Sequence, residues 1–431
     1  MELKEIINNL SNKNIKSEIY QSASESTSIS FENSVFKKIE SKSISGTGLR
    51  VIKNGKTGFS YSGGKDIGKI VEFAEENSLF GNNVNFDFPN QKTGTVSGLY
   101  SEDVKNLPVS ELKKTGEQII QKLNKELKGF QFDVSVEKES SAVKMLNSSG
   151  FEGDFAKTYY SVYFSVMRAK QDQIFSAYEG ETTLDLENGY DAKLDNLINL
   201  CNKLDTKSKI NSGVYPVVFS PKASHLIFNI LTFALNGKNV QKGSSALSTE
   251  KGKKVFAKNF TLIDNPRLEK GISSVPFDGE GTPTKEKQII ENGKINGFIY
   301  DIFTAELMNE KSTGNGRRGY SSIPTPGFYN IMVEPGKQTY QEVVADIKEG
   351  IFVDEFIGGG QSNVLAGEFS VNLTLAFKIE NGEIKGSLKD TMLSGNVFNV
   401  LSNSPIFCNE IFRKNNYYLP YIMFNGLSVS S

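Results

Sequence analysis

The chain has 431 residues, 49 Lys and Arg against 50 Asp and Glu, and a formal net charge of −1. That length predicts two or three domains with a sizeable core, and the balanced charge, with no basic tail or block, argues against nucleic acid as a partner. The apolar runs fall short of the ~18 residues a bilayer span needs, the two cysteines (Cys201 and Cys408) build no disulfide framework, and MELKEIINNL lacks the build of a secretion signal, so the expected setting is cytoplasmic, with no membrane partner.

Residues 2–12 predict a short helix, from Leu and Ile at helical spacing among charges. From Ser17 to Ser62 the pattern turns to period two, which predicts a meander of half-buried antiparallel strands. A helix is expected from Ile67 to Leu79, then a linker or surface excursion over 80–107, rich in Asn, Gly and Thr. Ser110 is placed as the cap of a helix running to about Lys128. Strands over 130–146 and 155–167 flank the turn NSSG at Asn147 to Gly150, and a helix over about 188–205 closes the first half. The expected organisation is thus 1–79 (an N-terminal α/β segment), 80–107 (the linker), 108–210 (a central α/β segment) and 211–431 (a C-terminal β-rich domain). The fold class is α+β: a first half with antiparallel or mixed sheet and long helices, and a second half of antiparallel, barrel-like sheet around a buried helix.

That helix lies in PVVFSPKASHLIFNILTFALNG. Val214 to Phe219 reads as a buried strand, Ser220 as a cap, and Pro221 as the first helical residue. Ala223, Leu226, Ile227, Ile230, Leu231, Ala234 and Leu235 form one apolar stripe, and Gly237 is a fitting stop. The single histidine, His225, lies one residue off the stripe and reads as a helix-flank residue rather than a ligand.

Asn-Gly recurs between β-like flanks at Asn54-Gly55, Asn292-Gly293 and Asn381-Gly382. Both residue types tolerate positive φ, as a type I′ hairpin turn demands. Such turns fix the register, so Ile290 should face Ile295 and Ile379 should face Ile384. The last two copies share a downstream Gly and Asp (Gly297 with Asp301, Gly386 with Asp390), which fits ordinary hairpin chemistry better than duplication.

Three glycine-rich stretches are candidate sites. Asp278-Gly279-Glu280-Gly281-Thr282-Pro283 sets two carboxylates two residues apart on a turn; they can do acid–base chemistry if burial splits their pKa values, and otherwise make a solvent-facing turn. Gly314-Asn315-Gly316-Arg317-Arg318-Gly319 satisfies G-x-G-x-x-G but follows a helix-like segment and precedes paired prolines, so it is no dinucleotide fingerprint. It is either a loop offering backbone N–H groups and guanidinium forks to a carboxylate or backbone carbonyls, or a plain connection. Gly358-Gly359-Gly360 is either a strand edge open to an extended peptide or a bulge.

In order, VPFDGEGTP, IENGKINGF, STGNGRR, GGGQSN with GEFS, and LSGNV resemble the TldD/PmbA family, also called modulators of DNA gyrase, whose members form zinc-dependent peptidases. The resemblance covers most of the chain. SSVPFDGEG fits the PmbA (TldE-like) branch, whereas STGNGRR followed by P-x-P and GGGQ is similar to the TldD branch. In zinc-bearing members the strand-to-helix segment carries His-Glu-x-x-x-His, with a cysteine nearer the C-terminus as third ligand. The matching stretch here is Phe228 to Phe233, and Cys408 lies upstream of the cysteine's place near Asn415 to Tyr417. The resemblance implies no catalytic or metal residue in this chain and zinc only in a partner. It also implies pairing with a zinc-bearing relative in a protease for unfolded peptides. Asp278, Glu280, Arg317, Arg318, Gly358, Gly359 and Gly360 are then the candidate substrate-binding residues. The alternatives are a self-standing homodimer that binds peptides without cutting them, or a hydrolase built on carboxylates such as Asp278 and Glu280.

Overall fold

A computed structural model describes residues 2–63, 68–170, 173–187, 189–359 and 363–431. The first half runs α1 (Leu3–Asn12), β1 (Lys16–Glu32), β2 (Val35–Lys53), β3 (Lys56–Gly63), α2 (Gly68–Asn77), α3 (Glu102–Lys105), α4 (Val109–Glu126), β4 (Gln131–Asn147), β5 (Glu152–Lys170), β6 (Gln173–Thr183) and α5 (Tyr190–Asn202). Its strands form one antiparallel sheet in the order β3-β2-β1-β4-β5-β6. Residues from either side of the 80–107 segment therefore share a sheet. Alternation along each strand separates its two faces, with one register shift between β1 and β2 at Ser30 and Phe31. Ile19, Ile29 and Phe31 of β1 point to the face that α1, α2 and α4 cover. Glu18 and Tyr20 point to the other, which meets the second half of the chain through Phe151 and Phe277.

The 80–107 segment is anchored at several points rather than free. Thr57 N–H donates to the Asn82 carbonyl and Val84 N–H to the Gly55 carbonyl, at 3.0 and 2.8 Å. Asn147 Nδ2 donates to the Pro89 carbonyl at 2.6 Å, and Asn85 N–H donates to Glu306 in the second half at 2.7 Å. Phe86 and Phe88 lie over the Arg50 guanidinium, 5.6 and 5.1 Å from centroid to carbon. Its polar composition hid these two buried-side aromatics. The helix expected to be capped by Ser110 has its N-cap two residues earlier, at Pro108 in extended geometry; the missing proline N–H costs nothing there.

The second half continues with β7 (Gly213–Phe219), α6 (Pro221–Ala234), α7 (Gly237–Gln241), β8 (Leu262–Asp264), β9 (Lys287–Glu291), β10 (Lys294–Ile295), α8 (Ile302–Leu307), β11 (Gly316–Arg317), β12 (Thr325–Pro326), β13 (Ile331–Val333), α9 (Tyr340–Ala345), β14 (Glu349–Gly358), β15 (Glu368–Glu380), β16 (Glu383–Ser387), β17 (Met392–Asn396), α10 (Val397–Ser402), β18 (Ile406–Lys414) and β19 (Tyr417–Ser430). Strands β7, β19, β17, β15 and β14 pair in a closed ring, a five-stranded barrel. Two ladders, β7 with β14 and β13 with β19, are parallel, as the long connections between those strands permit. Helix α6 packs Ala223, Ile227, Ile230, Leu231 and Ala234 into the barrel's core. Ser220 caps it through the Ala223 N–H, 3.2 Å, with Pro221 in the first turn. Gly237 opens α7 instead of stopping α6, because Asn236 caps the new helix through the Lys238 N–H.

All three Asn-Gly turns have both residues at positive φ, and Ile290 faces Ile295 and Ile379 faces Ile384. The downstream Asp residues differ: Asp301 caps α8, while Asp390 sits left-handed in a loop, so the hairpins are separate uses of one turn type. At Gly293, with φ +81, a Cβ would lie 2.2 Å from the Phe256 carbonyl oxygen. Gly293→Ala is expected to lose about 1–3 kcal/mol of stability, read as a lower urea midpoint at unchanged slope.

Candidate functional site

The acidic turn is buried, not solvent-facing: Asp278 and Glu280 are 1% and 0% exposed. A bridge between Phe277 and Pro283 closes the turn. Asp278 Oδ1 accepts from the Glu280 and Thr282 N–H groups, both at 2.9 Å, and Oδ2 accepts from Gly316 N–H at 2.8 Å. One carboxylate thus ties the turn to the glycine loop. The loop must pass close: a Cβ on Gly316 would meet Glu280 Oε2 at 2.7 Å.

Glu280 reaches the N-terminal sheet. Its Oε1 is 3.0 Å from Arg50 Nη1, and its Oε2 accepts from Ile302 N–H, at the start of α8, at 2.7 Å. Arg50 stands directly opposite Glu18 in the β1–β2 register, with Nη2 donating to Glu18 Oε2 at 3.2 Å. Glu18 Oε1 takes Arg318 Nη1 at 2.7 Å. The result is a buried Glu280–Arg50–Glu18–Arg318 chain that joins both halves. Burial opposes the charge of Arg50, but Glu18 and Glu280 more than offset this and raise its pKa. Burial raises the pKa of both Asp278 and Glu280. Every oxygen of that pair already accepts a hydrogen bond, so both carboxylates tie the turn to its neighbours.

Arg317 takes another path. Its Nη1 donates to the Phe328 carbonyl at 2.5 Å and its guanidinium lies over Tyr329. Together with Arg318 and Asp278 it lines a cavity of about 180 Å³ between the sheet and the loop. Lys157 and Tyr159, alternate residues of β5, and Tyr20 of β1 complete its polar wall. Burial, with Arg317 nearby, pushes the Lys157 ammonium down to about 7. The structure therefore gathers Asp278, Glu280, Arg317 and Arg318 in one place. Gly358 and Gly359 lie apart at the end of β14, with φ +100 and +88, and Gly360 falls outside the described residues. Sequence reasoning missed Glu18, Arg50 and Lys157. The signal for Arg50 was a charge inside the apolar run GLRVI; Lys157, in a strand of mixed polarity, gave none.

On α6, Asn229 Nδ2 donates to His225 Nδ1 at 2.9 Å, and Tyr417 O–H donates to Asn229 Oδ1 at 2.6 Å. The His225 ring meets the Tyr417 ring edge-on at 4.4 Å. Burial, then the charge of Lys414, lowers the His225 pKa, so it is neutral at pH 7. Phe228 is fully buried in the barrel core. Tyr417→Phe would remove the hydrogen bond to Asn229 Oδ1, on a residue that water reaches, and is expected to lower stability by about 0.5–1.5 kcal/mol in urea titrations.

A sequence profile of the PmbA/TldA metallopeptidase C-terminal domain matches residues 212–431, and one of the family's domain 1 matches 17–78. The chain belongs to the PmbA/TldD family. It is similar to an uncharacterized Methanocaldococcus jannaschii protein, 29% identical over 389 residues and 88% of each chain. It is also similar to a metalloprotease TldD homolog of Buchnera aphidicola, 34% identical over 207 residues, which are 48% of this chain and 42% of that one. Its fold matches that of TldE from Thermococcus kodakarensis with a TM-score of 0.92 at 22% identity over the whole of both chains.

The PmbA/TldD family implies a zinc ion on α6, and the donors there do not fit one. Catalytic zinc takes imidazole, thiolate or carboxylate and keeps one position open. The stretch in question offers Phe228, Asn229 and Phe233, with Asn229 engaged by Tyr417 and His225. Among the described residues, no group of three or more His, Cys, Asp and Glu could hold a metal. Cys201 and Cys408 are both buried, and burial pushes each thiol up to about 12, so both are packing residues. No helix among the described residues is long and apolar enough to cross a membrane.

Proposed function

We propose that this chain is the subunit of a PmbA/TldD-type peptidase that does not carry the metal. It pairs in the cytoplasm with a zinc-bearing TldD-like relative, and the pair acts on unfolded peptides. This chain completes the chamber and holds the substrate backbone. The observation that carries the reading is the contrast between an intact family scaffold and an α6 surface on which Asn229, His225 and Tyr417 bond to one another. An amide, a neutral imidazole and a phenol so engaged activate no water.

The test is to purify the chain alone and co-expressed with a relative bearing His-Glu-x-x-x-His, then assay both on a denatured protein. Cleavage only by the co-purified pair, abolished by chelator, is the expected result. Full activity from the isolated, chelator-treated chain would overturn it. Failure to capture any relative, with peptide binding retained, would instead describe a homodimeric peptide binder.

A further inference from the structure

The cavity between β1, β5 and the glycine loop is lined by more positive than negative side chains, and Lys157 among them is buried. Lys157 is 5% exposed, and among the described residues its Nζ has one hydrogen-bond acceptor, the Ile272 carbonyl at 3.1 Å. An ammonium has three N–H donors. Arg317 Nη1 likewise bonds to a backbone carbonyl, that of Phe328. Among the described residues, neither Lys157 nor Arg317 takes part in an ion pair. The Arg318 side chain is fully enclosed, and among the described residues its Nε and Nη2 have no hydrogen-bond partner, although Nη1 is held by Glu18. Asp278, the acid on the same wall, spends its oxygens on three backbone N–H groups.

Buried donors without acceptors cost free energy, and so does a buried cation such as Lys157 beside a like charge. An anion placed among them removes both costs, and the apolar floor of Phe155 and Phe277 strengthens the attraction. The volume, about 180 Å³, is below that of drug-sized pockets and suits one carboxylate with a short stem. Arg317, which lines the cavity, is exposed, so a ligand has a route in beside it.

We propose that this cavity is a carboxylate-binding site, with Lys157 and Arg317 as the cations that grip the ligand and Tyr20, Tyr159 and Tyr329 framing it. The carboxylate is the C-terminus of a peptide or that of a free small acid. It rests on the proposed function only where the source is a peptide. Binding is read on the isolated chain, so its failure is distinct from failure of the peptidase-partner reading.

Titration calorimetry of the isolated chain uses N-acetyl-trialanine, its C-terminal amide and acetate as probes. Binding of the free acid, at least tenfold weaker binding of the amide, and a similar loss in both Lys157→Met and Arg317→Gln support the site and assign it to peptide termini. Binding of acetate without the peptide, lost in the same two variants, supports the site and assigns it to small acids. Equal binding of acid and amide, no binding of any probe, or unchanged binding in both variants overturns the proposal. Arg317→Gln changes an exposed side chain, so a folded variant is available even if Lys157→Met is not.

Discussion

Arg50→Met is expected to remove about 3–5 kcal/mol of stability, the largest effect of any single substitution in the Glu18–Arg50–Glu280–Arg318 chain. Methionine keeps most of the volume, so the loss is electrostatic. Glu280 Oε1 loses the guanidinium at 3.0 Å, so in a site that is 0% exposed its carboxyl either stays charged without a partner or takes up a proton that burial already favours, and both cost stability. Glu18 keeps Arg318, which places the damage at the acidic turn. Arg50→Lys should recover little, because one ammonium cannot bridge two carboxylates as a planar fork does. Urea titration checks the size, and hydrogen exchange at residues 278–282 checks the place. A loss below about 1 kcal/mol would mean that the chain of charges adds nothing beyond packing.

Lys157→Met is expected to stabilise the protein at pH 7, on the order of 2–4 kcal/mol, and to do nothing near pH 10.5. Burial, then Arg317, holds the folded-state pKa at about 7, against 10.5 for a free lysine. Between those values the unfolded chain binds the extra proton. Wild-type stability therefore rises with pH across that window, and the penalty is full below it. Methionine carries no proton and abolishes the slope. Urea midpoints of both proteins at pH 7, 8.5 and 10 decide the matter; parallel curves would show that Lys157 keeps an ordinary pKa. A bound carboxylate would restore the ammonium and shrink the difference, which links this measurement to the binding experiment.

Local chemistry was legible in the chain. The Asn-Gly turns, the Ser220 cap and the apolar stripe of α6 depend on residues within a few positions of one another, so pattern and stereochemistry suffice. Local reading erred where two local signals competed, at Pro108 against Ser110 and at Asn236 against Gly237. It also left the acidic turn undecided between an exposed turn and a buried pair. That choice depends on Arg50, 230 positions away, and on the Gly316 N–H, 38 positions away.

The order of motifs from FDGEGTP to LSGNV by itself determined the family, and alternating and helical periods determined the α+β class. Only the tertiary structure decided what the charged motif residues do. Glu18 and Arg318 are 300 positions apart, and a charge becomes a structural tie or an unmet cation according to what the fold stacks on it. Sequence spacing carries φ and periodicity, but burial and counter-charge are properties of the packed chain.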